Sequence, residues 1–214
     1  AQARDHASSH ANAGCGRFTR VWPPALGRDR VLLFDCSSPF YAVAGGGTQM
    51  STPSPGIPIA RHAGEGEALW FLDALVTIKA SGEDTGGRVA VVEHLSPRGS
   101  GSPLHVHRRE DESFYVLEGE LTLWVDGQTI VAQAGSFVCG PRDVPHTFIV
   151  SSEEARFLLI AEPAGFDDFV RAVGEPAQQL AIPPPATEPP DIAALSAIAA
   201  QYGIEVLGPP GIPN

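Results

Sequence analysis

The sequence predicts an all-β fold, a single barrel or sandwich of short antiparallel strands followed by short C-terminal helices. Three observations carry that expectation. Runs rich in Val, Ile, Leu, Phe and Trp recur at short, even spacing between turn residues from Ala68 to Ala161. Two of these runs, Leu121–Val125 and Gln128–Ala132, are joined by Asp126-Gly127 alone. That dipeptide tolerates the positive φ angles of a type I′ hairpin. The 23 glycines and 20 prolines among 214 residues favour turns and short strands over long helices. No fixed-period repeat is present, so one barrel is expected and not two.

Taken in chain order, residues 1–49 differ from the rest. They hold five arginines and three aspartates but no lysine or glutamate, a charge of +2 against −11 for the whole chain. The sole methionine, Met50, follows them, and the tract reads as a poorly structured N-terminal extension upstream of a barrel over residues 50–165. The competing reading is a strand at "VLLF" that augments the sheet. The segments "ALWFLDALVTIKA" and "RVAVVEHL" then read as strands separated by the turn-rich "SGEDTGG". "ESFYVLEG", "ELTLWV", "QTIVAQ", "GSFVCG", "HTFIV" and "ARFLLIA" follow, joined by small loops. Residues 166–214 read as a helical tail, with helices at Phe166–Val173 and Asp191–Gln201 around the proline-stiffened "AIPPPATEPPD". Asp191 is placed to cap the second helix and Gly203 to stop it.

Composition excludes several function classes. A formal charge of −11 is the wrong sign for a nucleic-acid partner. There is no apolar run of about eighteen residues to span a membrane. The start lacks a continuous apolar stretch after its basic residues, which argues against a secretory signal. Cys15, Cys36 and Cys139 have no CxxC spacing, which argues against a disulfide framework and a thiolate zinc site. A cytoplasmic protein is expected.

The chemistry concentrates in "SPLHVHRREDE", Ser102–Glu112. Strand side chains alternate faces, so His105 and His107 point the same way. Glu112 opens the next run and shares its face with Phe114 and Val116, while His146 shares its face with Phe148 and Val150. Three imidazoles and a carboxylate facing a barrel interior are unfavourable unless paired. A divalent iron, manganese, cobalt, nickel or copper ion resolves this, since such ions accept imidazole and carboxylate ligands. Four protein ligands on a six-coordinate ion leave two positions open, the mark of a reactive site. Phe114, Val116 and Phe148 either line a substrate pocket beside these ligands or form plain barrel core. No arginine or lysine falls on the inward face of the three ligand strands, so a planar aromatic substrate suits the interior better than an anion.

Other residues read more plainly. His94, at a strand end, is a satisfied strand histidine and not a donor behind the ligands. Glu110 and Asp111 lie in a solvated turn, Trp70 and Trp124 anchor packing, and Cys139 is an inert single thiol. His6, His10 and His62 lie in loop-like sequence.

At these residues the chain resembles the cupin superfamily. Gly99, His105, His107, Glu112 and Gly119 meet the first cupin motif in full. Gly135, Pro141 and His146 meet part of the second, with Asp143 at its inner glycine and Val150 at its asparagine. The resemblance implies a single cupin barrel, a double-stranded β-helix or jelly roll, with metal-binding core 95–150. Within the superfamily the chain looks like single-domain proteins described as quercetin 2,3-dioxygenase-like. That likeness implies ring opening of a flavonol or similar enol by dioxygen, with loss of carbon monoxide. Glu112 would be both ligand and base, and no organic cofactor would be needed. Small-molecule substrate and dioxygen would be the partners, and such single cupins commonly pair as homodimers. An alternative in the same barrel is a metal-bearing binding module without turnover, a sensor or carrier. Another is a cupin isomerase or decarboxylase.

Overall fold

The alternation read from the sequence builds two antiparallel sheets in the computed structural model, which describes residues 58–187 and 190–213. The weak structure expected of residues 1–49 lies outside these described residues.

The apolar run from Ala68 folds back on itself as the hairpin β1 (Glu67–Phe71) and β2 (Ala74–Ala80), turning through Leu72 at φ 56°. The connector read as a turn contains a single helical turn, α1 (Gly82–Thr85). Its Ser81 hydroxyl accepts from the Asp84 N–H and the Asp84 carboxylate from the Ser81 N–H. Then come β3 (Ala90–Pro97), β4 (Pro103–His107), β5 (Asp111–Glu118), β6 (Glu120–Val125) and β7 (Gln128–Gln133). β8 (Phe137–Gly140), β9 (His146–Val150) and β10 (Glu154–Glu162) complete the expected strands. Asp126 and Gly127 join β6 to β7 at φ 44° and 84°, as the hairpin reading requires. Gly119 closes the tight link from β5 to β6 at φ 78°, where an added Cβ would collide with the backbone of Glu154.

The tail comprises α2 (Phe166–Val173), the two-residue β11 (Glu175–Pro176), α3 (Ile192–Gln201) and β12 (Ile204–Pro210). Asp191 caps α3 by accepting from the N–H groups of Ala193 and Ala194. The segment is thus more than helical. β12 joins the barrel as an edge strand beside β4, with Ile204 opposite His107 and Val206 opposite His105. Its glycine and two prolines hide it from strand propensity, yet an edge position tolerates proline because the missing N–H faces no partner.

One sheet runs β11-β1-β2-β3-β10-β5-β8 and the other β12-β4-β9-β6-β7. Inward residues of both fill the space between them. Phe114, Phe148 and Phe157 meet edge-on or tilted, their ring centres 5.4 to 6.2 Å apart. Burying each such ring stabilises the fold by about 1.5–3 kcal/mol. Phe166, Phe169 and Val170 of α2 are buried in the same core. The result is an all-β jelly roll with short C-terminal helices.

Candidate metal centre and its cavity

β4 turns His105 and His107 to one face, and β9 lies antiparallel to it with His146 directly opposite His105. Glu112 enters from β5 in the other sheet, opposite Gly140 of β8. A Cβ on Gly140 would come within 3.1 Å of the His146 ring, so the missing side chain there makes room for the imidazole. The four side chains are buried, and one ligand atom from each lies within 4.8 Å of all the others. Those residues were the ones singled out in the sequence, and the fold brings them together.

The hydrogen bonds around them fix which atoms face inward. His105 Nδ1 donates to the Pro103 carbonyl and His146 Nδ1 to the Val144 carbonyl, each at 2.8 Å. His107 Nδ1 donates to Glu110 Oε1 at 2.8 Å. With each Nδ1 carrying the proton, all three Nε2 atoms present lone pairs. His105 Nε2 lies 3.0 Å from His107 Nε2, and His146 Nε2 lies 3.0 Å from Glu112 Oε2. Lone pairs that close in a buried site repel unless a cation sits among them. The donor set therefore fits a divalent transition metal, with His105, His107, Glu112 and His146 able to hold it.

The electrostatics agree. Burial raises the Glu112 carboxyl, but His107 and His146 outweigh it and hold the group at about 2. Burial lowers His107, but Glu112 and Glu110 overcome it and raise the imidazole. Burial lowers His105 to about 4 despite the neighbouring Glu112. A buried carboxylate facing three imidazoles attracts positive charge, and among the described residues no lysine or arginine lines the cavity beside them to supply it.

Glu110 corrects the sequence reading. It is not in a solvated corner but 1% exposed, with its carboxylate on the back of His107. Spacing from His107 (three residues, across a bend) was the available signal, though burial of that bend could not be read from it. Asp111 does face solvent, paired with Arg142 at 3.0 Å. Asp143, where the resembling motif has glycine, adopts φ 63° and accepts from Arg108 at 2.8 Å. Aspartate is one of the few non-glycine residues that tolerate this region. Cys139 is an exposed free thiol on edge strand β8.

A cavity partly open to solvent adjoins the cluster and is walled by His105, His107 and Glu112 on one side. Phe148 lines it, as one sequence reading allowed, but Phe114 and Val116 do not. Those two lie in the packed interior between the sheets. Phe71, Leu159, Phe166, Phe169 and Leu195 supply most of the remaining apolar wall. His94 and Ser96, passed over in the sequence, also line it. His94 Nε2 and Ser96 Oγ are buried and have no hydrogen-bond partner among the described residues. Each such orphan costs about 1–3 kcal/mol. His94 is thus not the satisfied strand histidine expected.

Residues 91–161 match the family model described as "Cupin domain". Quercetin 2,3-dioxygenase of Bacillus subtilis is 33% identical over 124 residues, 58% of this chain and 37% of that protein. Quercetin 2,3-dioxygenase of Aspergillus japonicus is 25% identical over 123 residues, 54% of this chain and 35% of its own length. The matched stretch therefore spans little more than a third of either relative. Among solved structures, an RmlC-like cupin from Shewanella frigidimarina is 21% identical, with a TM-score of 0.45 over 52% of this chain and 96% of its own. The barrel that gathers these four side chains matches the cupin domain over residues 91–161, and over that region the chain is similar to quercetin 2,3-dioxygenases.

Proposed function

We propose that this cupin is a metal-dependent dioxygenase that cleaves a small, planar phenolic or enolic compound, in the manner of a quercetinase. The observation that carries the reading is the meeting of three imidazole Nε2 lone pairs and one carboxylate beside an apolar, aromatic-lined cavity that among the described residues has no lysine or arginine in its wall. His105, His107, Glu112 and His146 would hold the ion. When bound, a divalent transition metal supplies a Lewis acid for an enolate oxygen and a redox path to dioxygen. Glu112 is the base, its carboxylate taking the enol proton as the substrate seats. Phe148 and Phe166 sandwich or edge the flat substrate and exclude water, which strengthens every charge interaction inside. The substrate supplies the electrons, so dioxygen is the sole co-reactant and no organic cofactor is required. The sequence likeness to two quercetin 2,3-dioxygenases supports this choice within the fold.

The test is oxygen uptake by protein loaded in turn with iron, manganese, cobalt, nickel or copper, with a 3-hydroxyflavone-type compound. We expect oxygen consumption, loss of the flavonol absorbance band and about one metal per chain. Flavonol binding that shifts the metal spectrum without oxygen uptake for any metal would replace the dioxygenase by a binding module. Turnover without oxygen would favour an isomerase or decarboxylase.

A further inference from the structure

Of the polar side chains in the cavity wall outside the ligand cluster, Asp73, Ser100 and Ser102 are hydrogen-bonded to neighbours, whereas His94 Nε2 and Ser96 Oγ have no partner among the described residues. β3 buries alternate residues, and its inward row reads Ala90, Val92, His94, Ser96. The row changes from apolar to polar where it meets the cavity. His94 Nε2 and Ser96 Oγ are buried and unpartnered among the described residues, and both residues line the cavity. The His94 ring lies flat on Phe157, with ring centres 4.8 Å apart and planes 15° apart, which fixes where its edge points.

This pair stands away from the ligands. β10 lies between β3 and Glu112-bearing β5, so their backbones are roughly 10 Å apart at ordinary strand spacing. Along the strands, His94 is level with Phe157 while Glu112 is level with Ala161. Phe148 and Leu159 line the same cavity with apolar surface.

We propose that His94 and Ser96 recognise a hydroxyl group at the far end of a flat substrate whose other end carries the metal-binding oxygen. The inference rests on reading the four-residue cluster as the metal site. A neutral imidazole offers one donor and one acceptor, and a serine hydroxyl offers both, so together they can give to and take from a hydroxyl. Neither neutralises an anion, and among the described residues no lysine or arginine lines the cavity to do so. Burial also lowers the His94 imidazole to about 4, despite Glu112, so it is uncharged near neutral pH. A site whose buried polar atoms need a partner discriminates against ligands that lack one.

The experiment compares 3-hydroxyflavone with quercetin, which carries additional ring hydroxyls, in metal-loaded protein under argon. Binding is read from the flavonol absorbance shift, so turnover does not enter. Wild type should bind quercetin about tenfold more tightly. In the His94→Leu, Ser96→Ala double variant this preference should vanish, with metal content and 3-hydroxyflavone affinity unchanged. His94→Gln, which keeps a donor and an acceptor, should retain most of it. A preference that survives in the double variant, or equal weakening of both flavonols, would overturn the proposal. If neither flavonol binds wild type, the flavonol reading fails by itself. Phenol against toluene, followed by calorimetry, then tests the anchor, and equal binding of the two by wild type would sink it.

Discussion

The cavity has two polar walls, and they satisfy their buried groups in opposite ways. On β4, β9 and β5, every imidazole Nδ1 is bound to a carbonyl or carboxylate, and the remaining lone pairs converge within 4.8 Å. On β3, His94 and Ser96 are as deeply buried and line the cavity, but His94 Nε2 and Ser96 Oγ have no hydrogen-bond partner among the described residues. The first wall is organised from behind and waits for a cation. In the second, the His94 ring stacks on Phe157, and the proposed occupant is a neutral hydrogen-bonding group. Burial alone therefore does not tell a ligand from a recognition group. What separates them is whether the outer nitrogen is already engaged.

The largest effect should come from dismantling the first wall. The His105→Ala, His107→Ala double variant should lose essentially all metal, measured by elemental content, whereas Glu112→Gln should keep some metal but lose turnover. The amide can still coordinate through oxygen but cannot take a proton. Full metal occupancy in the double variant would erase the distinction between the walls.

A pH series sharpens the second wall. His94 has an ordinary value of 6.5 and about 4 when folded. Between those values the unfolded chain binds a proton that the folded chain refuses, so stability rises with pH there and falls on acidification. The loss from His94 amounts to at most about 3 kcal/mol by pH 4. The stability difference between wild type and His94→Leu, from denaturant titrations, should be constant near neutrality and shift in the variant's favour as pH falls from 6.5 towards 4. A gap independent of pH would mean that the imidazole is not held neutral by burial.

A smaller effect tests the support behind the first wall. Glu110→Ala should weaken metal binding about 10–100-fold, read by competition with a chelator, because His107 loses the partner that fixes its tautomer. Ser96→Ala, on the other wall, should leave metal affinity unchanged.

Much of this was legible in the chain. The candidate ligands His105, His107, Glu112 and His146 follow from simple two-residue alternation along their strands, and the Asp126-Gly127 hairpin and the Asp191 cap follow from local backbone chemistry. These are short-range properties, so sequence alone determined them. Only the tertiary structure decided the rest. It buried Glu110 behind His107 by folding a bend inward, where charge and turn context had pointed to solvent. It placed β12, hidden by its glycine and prolines, beside the histidine-bearing β4. It sent Phe148 to the cavity but Phe114 and Val116 to the core, although all three have inward parity. Parity fixes which side of a sheet a residue faces, but what it meets there depends on strands and helices distant in sequence, and that long-range packing separates recognition groups from core.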